Sequence, residues 1–322
     1  MYTLDYKELG YGITRIESCY QRKGLACCYL MEADGQFALI DTGTARTAPL
    51  IMELLEQKSI PKEKIRYIIP THVHLDHAGG AGQLMAQLPQ AELVIHPYGA
   101  RHMIDPTKLQ AGATAVYGEE AFKQEFDTLL AIPETRVIEM EEGMTLDLNG
   151  RTLQLIDTPG HARHHLTVWD EQSKGLFTGD VFGNAYPEIH SHKGRYLMPV
   201  TSPVQLDPPA WHQSIDKLLT FKPERVFLTH YGVLENPQDN VEQLHRDLDA
   251  YVKIALSLAL TSENRYKKLL EQISNYHFKN IAEHGCNLST QEIERLIAAD
   301  IELCAQGLEI WLQRQEKKLK EV

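Results

Sequence analysis

The run Thr71-His72-Val73-His74-Leu75-Asp76-His77 constrains this chain more than any other. Three imidazoles and a carboxylate follow directly on the apolar run Ile65-Arg66-Tyr67-Ile68-Ile69-Pro70 and precede the pair Gly79-Gly80. Neutral imidazole and carboxylate are the ligands that borderline divalent metals such as zinc, iron, cobalt or manganese accept, and histidines at i and i+2 can converge on one ion where they leave a strand end. Leu75 then turns inward, while Asp76 and His77 open the next helix and point back toward a second ion. A polar surface loop carrying chance histidines is the plainer alternative, and the strand-to-loop context argues against it.

The rest of the chain repeats this punctuation. Residues 11–41 alternate as an antiparallel meander, with Asp34-Gly35 as a hairpin turn, and end in Asp41-Thr42-Gly43. A helix is expected over Ala48–Gln57, with Leu50, Ile51, Leu54 and Leu55 on one face. Strand 65–70, a helix over Gly82–Leu88 and a short strand over Ala91–His96 follow. Helices and loops fill Tyr98–Leu130, the clearest helix being Glu119–Leu130. Strands 136–138, 144–148 and 153–157 come next, with Asn149-Gly150 as a second hairpin turn. Three further strand-like runs each close on a group able to bind a ligand: Thr158-Pro159-Gly160-His161, Thr178-Gly179-Asp180 and Thr229-His230-Tyr231-Gly232. Loops held by a rigid sheet are where sites are built.

Between Val181 and Pro209 lies a stretch with weak periodicity, read as a long lid or binding loop. From about Asn236 strand signals cease and three helical patterns appear, at 237–260, 262–276 and 290–317. The last begins at Ser289-Thr290-Gln291-Glu292 and carries the apolar stripe Ile293, Ile297, Ile301, Cys304 and Leu308. The charged end, Arg314–Val322, reads as a solvated helix tail. The expected division is a catalytic domain over 1–235 and a helical extension over 236–322, acting as a cap or a homodimer contact.

Length and composition set outer bounds. The chain has 322 residues, 43% of them hydrophobic and 24% charged, as in a globular protein with a sizeable core. A net charge of −12 argues against nucleic acid as the main partner. The first residues show no signal-peptide pattern and no apolar run approaches a membrane span, so no membrane contact and a cytoplasmic location are expected. Cys19, Cys27, Cys28, Cys286 and Cys304 show no redox or metal-ligand spacing and read as reduced thiols, with Cys27 and Cys28 on opposite sides of a strand.

In order and in context these residues resemble the metallo-β-lactamase superfamily over about residues 10–235. The HxHxDH motif stands as His72, His74, Asp76 and His77, and the downstream signatures as His161, Asp180 and His230. The resemblance implies an α/β fold, an αββα sandwich of two mixed sheets with helices outside, here followed by a C-terminal helical appendage. It also implies a binuclear centre of two divalent ions, zinc or iron, with manganese also compatible. His72, His74 and His161 would hold one ion, Asp76, His77 and His230 the other, and Asp180 would bridge both. Asp76 and Asp180 are the implied catalytic carboxylates, and a hydroxide shared by the ions is the implied nucleophile. Asp41 and His165 are expected to orient the ligands. Tyr186 and Tyr196 are candidate donors to an oxyanion, and His190 a candidate cleft residue; His164 and His192 read as ordinary loop residues. Asp180, where cysteine-ligand lactamases carry a thiol, speaks against β-lactams. The branches with aspartate there include glyoxalase II, acyl-homoserine lactonases and quinolone-signal thioesterases. The expected activity is hydrolysis of a small-molecule ester, thioester or lactone. Phosphodiester hydrolysis, and a regulatory partner-binding protein with a retained metal site, are the alternatives.

Overall fold

A computed structural model describes residues 3–259 and 263–320. The first two residues, positions 260–262 at the edge of two expected helical patterns, and the last two residues of the charged tail lie outside them. The chain divides into two compact units: residues up to Asp157 with His164–Gly179 and Phe221–Glu235, and Thr158–Arg163 with Asp180–Thr220 and the chain from Asn236 onward. No helix among the described residues is long and apolar enough to cross a membrane.

The first unit is a pair of mixed sheets. One runs in the order β1 (Tyr6–Glu8), β2 (Ile13–Glu17), β3 (Cys27–Ala33), β4 (Gln36–Ile40), β5 (Ile65–Ile69), β6 (Glu92–Ile95) and β7 (Val137–Glu139). It is antiparallel as far as β4 and parallel from β4 to β7. The other contains β8 (Thr145–Leu148), β9 (Arg151–Asp157), β10 (Leu166–Asp170), β11 (Gly175–Gly179), β14 (Arg225–Leu228) and β15 (Gly232–Glu235), in the spatial order β15-β14-β11-β10-β9-β8. Between β11 and β14 the pairing is parallel. The expected Asp34-Gly35 turn forms with φ of 44° and 74°.

Alternation along each strand sends side chains to two apolar layers. Leu30, Leu39, Ile68 and Leu93 join helices α1 (Ala48–Gln57), α3 (Ala81–Gln87) and α4 (Pro97–Ile104) on the outer face of the first sheet. Tyr29, Met31, Ile40 and Ile69 meet Leu155, Val168, Phe177 and Phe227 between the sheets. A sheet covered on both faces reads as continuous apolar runs, as in Tyr67-Ile68-Ile69. Cys28 and Cys27 fall on the two opposite faces, as expected. Phe177 and Phe227 stack with centroids 4.4 Å apart, and Tyr29 meets both rings edge-on. Burying each such side chain contributes about 1.5–3 kcal/mol.

The short helix α2 (Leu75–Ala78) carries the histidine motif. After α5 (Thr107–Tyr117), helix α6 (Glu119–Glu125) ends five residues short of the expected Leu130. Phe122, Phe126 and Leu129 all enter one apolar cluster, so helical spacing continues in the sequence after the backbone has left the helix at Asp127, φ 61°.

In the second unit the expected lid loop proves to contain a hairpin, β12 (Asn184–Ser191) with β13 (Gly194–Met198), irregular between Tyr186 and His190. Asn184, Ala185 and Tyr186 are all buried, as are Tyr196, Leu197 and Met198, and burial on both faces removes the two-residue alternation that would have announced strands. Four helices follow: α7 (Pro208–Leu219), α8 (Val241–Ser257), α9 (Arg265–His284) and α10 (Thr290–Lys320). Ser289 and Glu292 exchange hydrogen bonds as a capping box ahead of α10. The stripe Ile293, Ile297, Ile301, Cys304 and Leu308 is buried. Arg265 ties α9 to α10 through both carboxylate oxygens of Glu309, at 2.8 and 2.7 Å.

Two buried ionic features give testable consequences. Arg151 spans the sheets: Nε and Nη2 donate to Asp170 at 2.9 and 2.6 Å, and Nη1 donates to the carbonyls of Tyr11 and Glu32. Arg151→Met leaves Asp170 buried without its cation and is expected to cost about 3–5 kcal/mol in urea unfolding, with the Arg151→Met/Asp170→Leu double variant recovering most of it. On α8, burial pushes Asp247 up to about 6, although Tyr276 and Arg246 favour its charged form. The folded state therefore binds the Asp247 proton more tightly than the unfolded chain, and this group's contribution to stability falls as pH rises from about 4 to 6. Relative to Asp247→Asn, the natural protein is expected to lose roughly 3 kcal/mol across that window, read from urea unfolding at each pH.

Candidate metal centre

In the first unit the motif residues gather where β4, β5 and β14 end. Pro70, which has no N–H for the sheet ladder, lets the chain leave β5. His74 then stands at the N-terminal boundary of α2, which places Asp76 and His77 in the first turn of that helix. Asp41, one residue past β4, is fully buried and organises the group. Its Oδ1 accepts from the Thr71 N–H at 2.7 Å and the Thr71 hydroxyl at 2.9 Å. Its Oδ2 lies 2.5 Å from the Thr229 hydroxyl and 2.9 Å from His77 Nδ1.

This arrangement fixes the tautomers. A carboxylate only accepts, so His77 donates from Nδ1, and in the neutral ring Nε2, 3.7 Å from Asp76 Oδ2, is the nitrogen able to ligate. His230 turns its Nδ1 to the Leu25 carbonyl at 3.2 Å, and its Nε2 lies 3.4 Å from the same Asp76 oxygen. Asp76, His77 and His230 thereby offer ligand atoms within 4.8 Å of one another. The donor set fits a divalent cation, because in metal sites a ligating imidazole characteristically hands its other N–H to a carboxylate or carbonyl.

Beside this trio, His72 Nε2 and His74 Nδ1 lie 2.8 Å apart, and His72 Nδ1 is 3.2 Å from the Thr71 hydroxyl. His165 is buried, its ring stacked on His72 at 5.0 Å. His164, expected as an ordinary loop residue, is buried too, with Nδ1 3.4 Å from the Val73 N–H. Gly179 closes β11 with φ 49°; a Cβ there would stand 2.5 Å from Thr71 Oγ1 and 2.8 Å from His165 Nε2, so only glycine fits without displacing this polar layer.

The other two expected ligands belong to the second unit. His161 Nε2 lies 3.5 Å from Asp180 Oδ2, and His161 Nδ1 lies 2.8 Å from the Val200 carbonyl, the pattern seen at His77 and His230. Helix α7 supports both loops: the Trp211 indole donates to the Val181 carbonyl at 2.6 Å and packs edge-on to His161, while Ser214 donates to the Pro159 carbonyl at 2.6 Å. Tyr186 and Tyr196 are fully buried, their hydroxyls engaged by Asp300 and by His277. His190 is exposed on the hairpin.

Sequence reasoning missed Thr71 and Thr229 and the carbonyls of Leu25 and Val200. A signal for the hydroxyls was present, since Thr71-His72 and Thr229-His230 both repeat threonine before histidine just past a strand. The carbonyls carry none, because every residue has one.

Comparison with known proteins agrees with this geometry. The chain is 28% identical over 218 residues to the metallo-beta-lactamase fold-containing protein ST1585 of Sulfurisphaera tokodaii, a match covering 65% of this chain and 74% of that protein. It is 29% identical over 161 residues to the thioesterase pkgB of Emericella nidulans, covering 49% of this chain and 36% of the relative. To the atrochrysone carboxyl ACP thioesterase of Aspergillus fumigatus it is 24% identical over 218 residues, covering 67% and 53%. The chain thus spans only about a third to a half of these two fungal relatives. Solved structures share the fold: the archaeal ST1585 structure superposes with a TM-score of 0.62 at 24% identity, covering 92% of this chain and 98% of that one. The metallo-beta-lactamase family protein TTHA1429 of Thermus thermophilus gives 0.67 at 17% identity, covering 96% and 95%. Residues 24–230 match the family described as the metallo-beta-lactamase superfamily, and with well over half of the chain inside that match, the chain belongs to this superfamily.

Proposed function

We propose that the chain is a metal-dependent hydrolase of small esters, thioesters or lactones. His72, His74 and His161 are assigned to one divalent ion, Asp76, His77 and His230 to a second, and Asp180 to the anionic bridge between them. The observation that carries the reading is the shared ring orientation of His77, His161 and His230: each sets Nδ1 against an acceptor and turns Nε2 toward a carboxylate. When bound, such ions supply water ionised near neutral pH and polarise a carbonyl oxygen. The chain's own part is to orient the imidazoles, through Asp41 and the two carbonyls.

Aromatic groups close to Asp76, Tyr20 and Tyr117, favour an acyl substrate. Leu75, next to Asp76, packs with Phe122, Phe126 and Leu129, with Tyr20 alongside. Tyr117 adds its ring 5.1 Å from Phe126. Tyr117 is exposed at the edge of this cluster, and an apolar contact there suits an acyl chain or ring better than the charged backbone of a phosphodiester. Two relatives that carry thioesterase names point the same way.

Protein purified without chelator or affinity-column metal is expected to hydrolyse members of an acyl-thioester and lactone panel, to lose that activity on chelation, and to regain it with zinc, iron(II) or manganese. Asp180→Ala should lower kcat/KM by at least about 100-fold together with the metal content. Turnover that survives complete metal removal contradicts the reading, and turnover confined to a chromogenic phosphodiester redirects it to phosphorus chemistry. Asp41→Asn places an amide N–H where an acceptor is needed. It is expected to cost about 2–4 kcal/mol in urea unfolding and to weaken metal binding at least about tenfold by titration; wild-type affinity in that variant would remove Asp41 from the ligand-orienting role.

A further inference from the structure

We propose that α10 is a positioning element for His161, acting through the four residues Pro199–Ser202. The proposal rests on the assignment of His161 as a metal ligand and concerns what holds that ligand in its working orientation. Two bonds join this segment to His161: its Nδ1–H donates to the Val200 carbonyl at 2.8 Å, and the Ser202 hydroxyl donates to the His161 carbonyl at 2.7 Å. The ring direction and the backbone of the ligand are therefore both set by the short segment that follows β13.

That segment is in turn fastened to the helices. The Thr201 hydroxyl donates to the Cys304 carbonyl of α10 at 3.2 Å, with the Leu303 carbonyl at 3.4 Å. Gly307, one turn further along α10, lies flush against the segment: a Cβ there would meet Thr201 Oγ1 at 2.2 Å and the Ser202 carbonyl at 2.9 Å. Helix interiors disfavour glycine by about 1 kcal/mol relative to alanine, so its presence within a 31-residue helix matches a need for close approach. Pro199 is gripped as well. Burial lowers His277 to about 3, so its ring is neutral and carries one N–H. The only proton assignment that uses every contact runs Tyr196 O–H to His277 Nδ1 at 2.8 Å, His277 Nε2–H to Tyr251 Oη at 2.5 Å, and Tyr251 O–H to the Pro199 carbonyl at 3.0 Å. Helices α8, α9 and α10 thus each contribute to holding a segment whose outward function is to orient one imidazole.

The test is cobalt(II) titration of metal-free, full-length protein, followed by visible absorption and equilibrium dialysis. Wild-type protein is expected to take up two ions. Thr201→Val, nearly isosteric but without the hydroxyl, and Gly307→Ala should each keep one ion near its wild-type Kd. The other ion should weaken about 10–100-fold with altered absorption bands, the size expected for an outer contact of a metal ligand. Thr201→Ser should restore it, and Glu294→Ala, on the exposed side of α10, should change nothing. Wild-type binding of both ions in Thr201→Val and Gly307→Ala overturns the proposal. So does loss of both ions in step with a fall in Tm, which would mark a general structural role. A different result exposes failure of the underlying assignment: His161→Ala retaining both ions at their wild-type Kd, or wild-type protein taking up none.

Discussion

A carboxylate sealed from water governs the first unit. Stripped of partners, the Asp41 side chain would cost several kcal/mol to bury. It is tolerable because donors arrive from the ends of two other strands: the N–H and hydroxyl of Thr71, the ring of His77, and the hydroxyl of Thr229. The bonds work in both directions. They neutralise the cost of the charge, and they lock the exits of β4, β5 and β14 to a common centre. Parallel pairing of β4 with β5, and of β11 with β14, makes this possible by delivering the carboxyl ends of those strands to one side.

The parts of this arrangement readable in the chain are those where one residue type has one physical use. Histidines packed between a strand and a glycine pair, Asp41 after an apolar run, and the Asp34-Gly35 turn announce themselves by chemistry or by backbone need. Helix α1 could be read to both of its ends because Leu50, Ile51, Leu54 and Leu55 give a clean stripe. What stayed hidden obeys a different rule. The β12–β13 hairpin lost its alternation to burial on both faces, and α6 kept its apolar spacing beyond its last helical residue. The backbone acceptors at Leu25 and Val200 are set by where the chain passes, which no side-chain pattern records.

Those two carbonyls carry as much of the site's chemistry as the imidazoles they face. A neutral histidine has one N–H, and the group that accepts it decides which nitrogen keeps the lone pair. At His230 the acceptor is held by the start of β3: Tyr231 N–H donates to the Leu25 carbonyl at 3.1 Å, and Cys27 N–H to the Thr229 carbonyl at 2.9 Å. An isolated bridge between Ala26 and His230 completes that contact. The orientation of one candidate ligand is thus built in part from ordinary sheet edges.

The spacing of the HxHxDH motif has a second cause besides ligation. Val73 joins the apolar cluster on the outer face of the first sheet, and Leu75 joins the aromatic cluster around Phe122 and Phe126. The residues that alternate with them, His72 and His74, are left to face the polar centre, and Asp76 and His77 follow on the first turn of α2. Each ligand in this run is therefore flanked by a side chain whose burial contributes about 1.5–3 kcal/mol and holds the loop against the repulsion of crowded donors. A loop of seven polar residues would have the same ligands and no anchor. Two alternating apolar residues convert a flexible chelate into a preorganised one, because the ordering entropy of the loop is met by burial during folding and not when a cation arrives.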